Sequence, residues 1–187
     1  MNGFYKKHIL KDGRELTVRS EVPSDAEDII SFVNRTDTES RFLSREPGEF
    51  TYTVEQERDI IKRNLDDENA FWAVACVEPH GIIGNLNLNA VSWQSRYKHR
   101  ATMGLAILKD FWNLGVGSAA LGDAIEWLRG SKYERLELYV VADNERAVAL
   151  YKKKGFVITG TRPRALKYGD GTYADDYFMS LDIKEGL

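Results

Sequence analysis

Residues 103–118, with the sequence MGLAILKDFWNLGVGS, decide the fold of this chain because they combine a strand, a turn and a helix start. An apolar run typical of a β-strand leads through a six-residue linker to Gly115 and Gly117, which open an amphipathic helix. The first N–H groups of a helix have no partner within it, and the helix dipole adds partial positive charge there. The stretch therefore predicts a cradle for an anionic group such as a phosphate.

A second informative stretch covers residues 136–156, LELYVVADNERAVALYKKKGF. A predicted strand runs here into a short helix, with Asn144 at the helix start and Tyr151 seven residues later. Gly155 follows the helix at the position where a left-handed residue commonly ends it. The stretch thus places a candidate capping amide and a candidate phenol on one short helix.

The remaining segments alternate without a composition break or an internal repeat. Asp12-Gly13 predicts a hairpin of two edge strands, and capping boxes at residues 24–27 and 53–56 predict the starts of two helices. The predicted order is ββ, αα, βββ, α, β, α, ββ, with mainly antiparallel neighbours. We expect one domain over residues 1–187, built on a mixed α/β sheet that is not doubly wound.

Composition limits the partners and the compartment. The chain has 187 residues and a net charge of −3, which disfavours nucleic acid or an anionic membrane as the main partner. The lone Cys76 cannot form an internal disulfide, and no apolar run is long enough to span a membrane. Three scattered histidines predict no metal site. These features predict a cytoplasmic protein.

The glycine pair also fits other patterns. Gly115-x-Gly117-x-x-Ala120 matches a dinucleotide-binding fingerprint on paper, which would make the chain an oxidoreductase. In that fold, however, the glycines follow directly on the first strand of a parallel sheet, whereas residues 109–114 and several antiparallel strands precede them here. The other alternative is that Gly115 and Gly117 have only a structural role and allow the helix to pack closely on the sheet.

The segments LAILKDFWNLGVGSAAL, LELYVVADNERAVALYKKKGF and GTYADDYFMSL resemble the GCN5-related N-acetyltransferases (GNAT family), in particular the bacterial ribosomal-protein and spermidine acetyltransferases. The family's acyl-CoA motif is Arg or Gln, two residues, Gly, one residue, then Gly or Ala; Trp112 stands here at the Arg/Gln position. The resemblance implies an α/β (α+β) fold with a mostly antiparallel, twisted sheet of about seven strands and about four flanking helices.

The resemblance also implies acetyl-CoA as cosubstrate and a set of residues that bind it. Pantetheine would lie along residues 105–108, with the N–H of Ile107 or Leu108 holding the oxyanion, and the diphosphate over residues 114–119. The implied cofactor-binding residues are Ile107, Leu108, Leu114, Gly115, Val116, Gly117, Ser118, Ala119 and Asn144. Asn144 could instead serve only to cap its helix.

Tyr151 matches the family's general acid, which protonates the CoA thiolate as it leaves. The alternative is that Tyr151 has only a structural role, with its ring packed beside Phe156. The family's base in the ribosomal-protein branch is a Glu where this chain has Tyr139, so Glu137, on the same strand face, is the candidate base. Glu137 could equally pair with a basic neighbour across the sheet.

The implied reaction is transfer of an acetyl group to a primary amine of a small molecule or a peptide. Charged and aromatic residues between the first two helices form the candidate acceptor-binding loop, although such loops are often plain solvated surface: Glu39, Arg41, Phe42, Arg45, Glu46, Glu49, Phe50 and Tyr52. A non-catalytic acyl-CoA-binding module on the same fold is the alternative function. The terminal hairpin makes a homodimer reasonable.

Overall fold

The computed structural model describes residues 3–184, and its elements follow the predicted order. The strands are β1 (Tyr5–Ile9), β2 (Glu15–Ser20), β3 (Phe71–Val77), β4 (Gly81–Ala90), β5 (Arg100–Ile107), β6 (Arg135–Val141), β7 (Val157–Lys167) and β8 (Tyr173–Asp182). The α-helices are α1 (Ala26–Glu39), α2 (Val54–Asp66), α3 (Val116–Arg129) and α4 (Glu145–Lys153). Short 3-10 turns cover Pro23–Asp25, Ser95–Tyr97 and Lys109–Phe111.

Within residues 3–184 the strands form one eight-stranded sheet in the order β1-β2-β3-β4-β5-β6-β8-β7. β5 and β6 pair in parallel, whereas β1 with β2, β2 with β3, β3 with β4, β6 with β8 and β7 with β8 are antiparallel. The mixed, mostly antiparallel fold class is therefore confirmed, with one strand more than the seven or so expected. β2 is not an edge strand, because it pairs with β3 as well as with β1.

The backbone divides into two compact units. The first contains the described residues up to Leu88 together with Gly104–Ala124, and the second contains Asn89–Met103 and the described residues from Ile125 onward. β4, β5 and α3 each continue from one unit into the other.

Each unit buries its own apolar core. In the first unit, alternate residues of β2 and β4, such as Leu16, Val18 and Leu86, are almost fully buried. In the second, Leu136 and Leu138 of β6 are buried, as is Met179 of β8 opposite Leu138. Burial of side chains at alternate positions is the expected pattern for strands that pack one face on a core.

The two predicted helix starts have different outcomes. Thr53 accepts a hydrogen bond from the Gln56 N–H at 3.2 Å and donates its own N–H to the Gln56 side chain at 2.8 Å, which confirms that capping box. The box predicted at residues 24–27 is wrong. The Asp25 carboxylate instead accepts two bonds from Arg19 and one from the Val22 N–H, and a 3-10 turn precedes α1. These charge-assisted bonds hold the 3-10 turn in place, so α1 begins at Ala26 and Ser24 does not occupy its N-cap.

Candidate active site

The turn between β5 and α3 exposes a set of backbone donors. Asn113 and Gly115 have positive φ values of 63° and 106°, so the chain reverses sharply before the helix. No atom lies within 4 Å of a Cβ built on Gly115, so it is the backbone angle that favours glycine here, not lack of space. The turn directs the chain from the end of β5 into the first turn of α3.

Not all six predicted residues of this cradle can bind an anion in the same way. The Ala119 N–H donates to the Gly115 carbonyl at 3.0 Å, and the Leu114 carbonyl accepts from the Lys11 N–H at 3.0 Å. Within residues 3–184 the N–H groups of Val116, Gly117 and Ser118 have no backbone acceptor. These three N–H groups, at the positive end of a 14-residue helix, form the anion cradle.

β5 leads into this cradle with one edge partly unpaired. The Leu108 N–H donates to the Ile83 carbonyl of β4 at 2.9 Å, so alternation directs the N–H groups of Leu105 and Ile107 to the other edge. There, β6 pairs with β5 only through Arg100–Thr102. The Leu108 N–H is consequently not available to an oxyanion, whereas the Ile107 N–H is correctly oriented for one.

Trp112, which occupies the family's Arg/Gln position, stabilises this turn through a hydrogen bond. Its indole N–H donates to the Ile107 carbonyl at 2.8 Å and so ties the end of β5 to the turn that follows. The Glu39 carboxylate accepts from the Lys109 N–H at 2.7 Å and from Arg35 at 2.6 Å, which fixes the same turn to α1. Glu39 was predicted among the acceptor-binding residues, but both of its oxygens are bonded here.

Asn144 caps α4. Its Oδ1 accepts from the Ala147 N–H at 3.2 Å, as the capping interpretation requires. That bond uses the carbonyl end of the side chain and leaves the amide N–H₂ end as a donor for another group. The half-buried side chain is therefore compatible with both predicted roles.

Tyr151 is buried on α4, with only 7% of its surface exposed. Its ring packs beside Phe156 with the ring centroids 5.6 Å apart. Burial raises the pKa of Tyr151 to about 12, so the phenol keeps its proton throughout the neutral range. The phenol is thus protonated at neutral pH, as a group that donates a proton must be.

Glu137 is engaged in an ion pair. Arg100 Nε and Nη2 donate to its two carboxylate oxygens at 2.7 and 2.6 Å, in the bidentate geometry that such pairs favour. Glu137 is 4% exposed. The pair is the alternative that the sequence left open, and it argues against Glu137 as the base because neither oxygen is free to accept a proton from an amine.

The comparisons with known proteins decide the family. The model of the acetyltransferase (GNAT) family matches residues 36–156, about two thirds of the chain. The chain belongs to the GNAT family. Its match to the L-amino acid N-acetyltransferase AaaT of Escherichia coli (strain K12) is 38% identical over 112 residues, which span 57% of this chain and 65% of that protein.

Solved GNAT structures have the same fold. An acetyltransferase of the family from Streptococcus pneumoniae is 32% identical, with a TM-score of 0.85, over 89% of this chain and 99% of that one. A Salmonella typhimurium structure described with its cofactor acetyl-CoA is 16% identical, with a TM-score of 0.79, over 92% and 96% of the two chains. The second likeness concerns the fold alone. Membership of the ribosomal-protein and spermidine branch stays a prediction.

In this GNAT chain the loop between α1 and α2 is held largely by its own contacts. Arg45 donates to Asp37 at 2.8 and 3.1 Å and lies over the Phe50 ring at 5.4 Å, and Phe50 contacts Tyr52 with ring centroids 4.9 Å apart. The Glu49 carboxylate accepts from the Glu46 N–H. These contacts favour the structural interpretation of the loop over a set of free recognition groups.

Two polar features of this GNAT chain escaped the sequence analysis. Asn85 and Asn87 lie half-buried on β4, and the signal for them was the alternation Asn-Leu-Asn-Leu-Asn over residues 85–89. Glu21, directly after β2, is 2% exposed, and its Oε2 has no hydrogen-bond partner. No sequence signal marked Glu21, because its burial depends on how the segment after β2 packs. Within residues 3–184 no cluster of three metal-ligating side chains occurs, and no helix is long and apolar enough to cross a membrane.

Burial raises the pKa of Glu21 to about 8, and the charges of Glu57 and Asp25 add to the effect. The folded protein therefore keeps a proton on Glu21 that the unfolded chain loses above about pH 4.5. The contribution of protonated Glu21 to the free energy of unfolding is therefore greatest below about pH 4.5 and is lost as the pH rises through about 8.

We expect Glu21→Gln to raise the free energy of unfolding at pH 8.5 by about 5 kcal/mol and to have little effect at pH 4.5. The neutral amide removes the cost of ionising a buried carboxyl. Urea unfolding at the two pH values measures this difference in stability. Glu55→Gln, on the exposed side of α2, is the control. If the free energy of unfolding depends on pH equally in wild type and Glu21→Gln, the prediction is wrong.

Proposed function

We propose that this chain transfers the acetyl group of acetyl-CoA to a primary amine, as a single acetyltransferase domain over residues 1–187. The observation that carries the proposal is a strand edge without a β-partner at Leu105 and Ile107 that leads into three unpaired helix N–H groups. An extended acyl-pantetheine arm can pair with such an edge as an added strand, while the diphosphate binds the helix start. Family membership supplies the reaction class.

The cofactor-binding residues are assigned accordingly. Pantetheine lies along residues 105–108, where Ile107 offers its N–H, and Leu108 and Leu114 contribute through the backbone geometry of strand and turn. The diphosphate accepts bonds from Val116, Gly117 and Ser118, with Gly115 and Ala119 shaping the turn. The family resemblance assigns the free amide end of Asn144 to the same cofactor.

The reaction proceeds by direct attack. The neutral amine forms a C–N bond to the thioester carbonyl carbon, and the oxygen becomes an oxyanion that the Ile107 N–H stabilises. The C–S bond then breaks, the carbonyl re-forms, and the Tyr151 hydroxyl protonates the departing CoA thiolate. The proton lost by the amine passes to water, since Arg100 occupies both oxygens of Glu137. The tyrosinate regains its proton from solvent.

The acceptor class is a small-molecule or peptide amine. The curated relative is named as an L-amino acid N-acetyltransferase, which supports an amino acid as the first acceptor to test. We further propose a cytoplasmic protein, since its single cysteine makes no internal disulfide, and a homodimer formed through the terminal hairpin β7–β8. Light scattering of the purified chain tests the dimer.

The function is tested by release of free thiol from acetyl-CoA in the presence of amino acids, peptide N-termini or polyamines. We expect amine-dependent thiol release and an N-acetylated product of matching mass. The alternative, a non-catalytic acyl-CoA-binding module, predicts a thermal shift with acetyl-CoA and no release with any amine. Stabilisation by NADH and not by acetyl-CoA would instead favour a dinucleotide-binding protein.

A further inference from the structure

The turn between β1 and β2 packs against the segment that leads into the anion cradle. The Lys11 N–H donates to the Leu114 carbonyl at 3.0 Å, directly before Gly115. The Arg14 guanidinium lies over the buried Phe111 ring, with its carbon 4.7 Å from the ring centroid. The tip of this hairpin and the start of the cradle are therefore neighbours within the first unit.

The hairpin is also attached to α3 itself. His8 Nε2 lies 2.7 Å from Oδ2 of the buried Asp123, and Lys6 Nζ lies 3.6 Å from its Oδ1. Two residues of β1 thus hold the hairpin against the helix whose first turn forms the cradle. These contacts fix the position of the β1–β2 turn relative to the cradle.

The β1–β2 turn neutralises most of its own charge. Arg14 Nε and Nη2 donate to Asp12 Oδ2 at 2.8 and 2.6 Å, and the Arg14 N–H donates to Asp12 Oδ1 at 3.2 Å. Gly13, with a φ of 87°, allows the tight reversal. The carboxylate and the guanidinium of the turn are therefore paired with each other, and the remaining charge is that of Lys11.

Lys11 is an uncompensated cation beside the cradle. Nearby, Arg35 donates to Asp110 at 2.9 Å and to Glu39 at 2.6 Å, so these charges are balanced. Lys11 is exposed, and among residues 3–184 its ammonium has no ion pair and no hydrogen bond. Lys109 also lacks an ion pair in this part of the chain, but its backbone is bonded to Glu39 of α1 and not to the cradle segment.

A local cation is what the phosphate groups of acetyl-CoA lack in the cradle itself. The N–H groups of Val116, Gly117 and Ser118 supply hydrogen bonds and partial positive charge, but no full charge. A phosphate monoester such as the 3′-phosphate of CoA carries about −1.5 to −2 charges at pH 7. The chain as a whole has a net charge of −3, so it repels such an anion unless a cation stands near the site.

We propose that the Lys11 ammonium pairs with a phosphate group of acetyl-CoA and makes the β1–β2 turn part of the cofactor site, an inference that rests on the proposed function. Leu114, which Lys11 bonds, is two residues before Val116, so the chain between them spans at most about 7 Å. The flexible four-carbon stem of lysine bridges a gap of this size. The ammonium donates to a phosphate oxygen, in the 3′-phosphate or in the diphosphate.

Titration calorimetry with acetyl-CoA tests this pairing. Lys11→Gln removes the charge and keeps the backbone N–H that bonds Leu114, so the turn is expected to stay in place. We expect the variant to raise the Kd for acetyl-CoA about tenfold at low salt, as loss of one charge-assisted hydrogen bond would do. The difference should shrink to about threefold at about 0.5 M salt, where the Debye length is only about 4 Å. Lys11→Arg, which keeps the charge, should restore the wild-type Kd.

Lys7→Gln on β1 is the matched control. It removes the same charge from the same hairpin, but from a lysine that Glu15 already balances at 2.7 Å. Its Kd for acetyl-CoA should equal that of wild type. An unchanged Kd in Lys11→Gln at low salt, or an equal rise in Lys7→Gln, would overturn the role of Lys11. Failure of wild type to bind acetyl-CoA, or to release thiol with any amine, would instead overturn the proposed function.

A comparison of ligands identifies the phosphate that Lys11 binds. S-acetyl-dephospho-CoA lacks only the 3′-phosphate. Equal Kd values of wild type and Lys11→Gln for this ligand assign Lys11 to the 3′-phosphate, whereas a persisting difference assigns it to the diphosphate. S-acetyl-pantetheine lacks both groups, so Lys11→Gln should use it with the wild-type kcat/KM. A loss of kcat/KM with S-acetyl-pantetheine as large as that with acetyl-CoA would show that Lys11 does not act on a phosphate.

Discussion

Tyr151→Phe is expected to lower kcat for acetyl transfer about 100-fold while the KM for acetyl-CoA stays nearly unchanged. The substitution removes the hydroxyl and keeps the ring that packs beside Phe156, so the fold of α4 is retained. The thiolate then leaves without a proton donor, and breakdown of the tetrahedral intermediate becomes slow. Initial rates of thiol release with saturating amine measure the effect.

The pH profile gives an independent test of the same residue. Since burial raises the pKa of Tyr151 to about 12, wild-type kcat should show no decline from ionisation of this phenol between pH 7 and pH 10. Tyr173→Phe, at an exposed position on β8, is the control and should retain full activity. Retention of more than a third of the wild-type kcat by Tyr151→Phe would show that the phenol is not the acid.

Ser118→Asp should weaken acetyl-CoA binding on the order of 100-fold, since a like charge placed next to a bound anion costs several kcal/mol. Ser118 is the third residue of α3, where an acidic side chain stabilises the helix by interacting with its dipole. The variant is therefore expected to fold at least as well as wild type. Titration calorimetry with acetyl-CoA measures the loss.

Two comparisons isolate the electrostatic effect in the cradle. Ser118→Asn has almost the same shape without the charge and should bind acetyl-CoA within a few-fold of wild type. S-acetyl-pantetheine lacks the diphosphate, so Ser118→Asp should use it as well as wild type does. Equal acetyl-CoA affinity in Ser118→Asp and wild type would place the diphosphate elsewhere.

Local patterns predicted the elements well. The hairpin at Asp12-Gly13, the Thr53 capping box and the order of strands and helices all depend on residues within one or two turns of each other, and the structure contains them. The Ser24 box failed for a reason outside its own segment. Arg19, on the preceding strand, binds Asp25, and only the paired position of β2 and the turn brings these side chains together.

Side-chain partners were much harder to predict than elements. Glu137 pairs with Arg100, 37 residues earlier, and Glu39 bonds the N–H of Lys109, 70 residues later. Glu137 was the candidate base and Glu39 a candidate acceptor-binding residue, and both carboxylates are engaged in the structure. Which partner a charged side chain binds depends on strand register and helix packing. Neither can be read from the residue type.

The sequence by itself determined the strand, turn and helix of residues 103–118, because glycine backbone angles, helix periodicity and unpaired helix N–H groups are local properties. Through the family resemblance of residues 136–156 it also marked Tyr151 as the candidate general acid. Only the tertiary structure decided which donors and carboxylates are free: Val116, Gly117 and Ser118 are, whereas Leu108 and Glu137 are not. The position of Lys11 beside Leu114 is likewise a product of tertiary structure, since it comes from packing the β1–β2 turn on the segment before α3 and from no pattern within either segment.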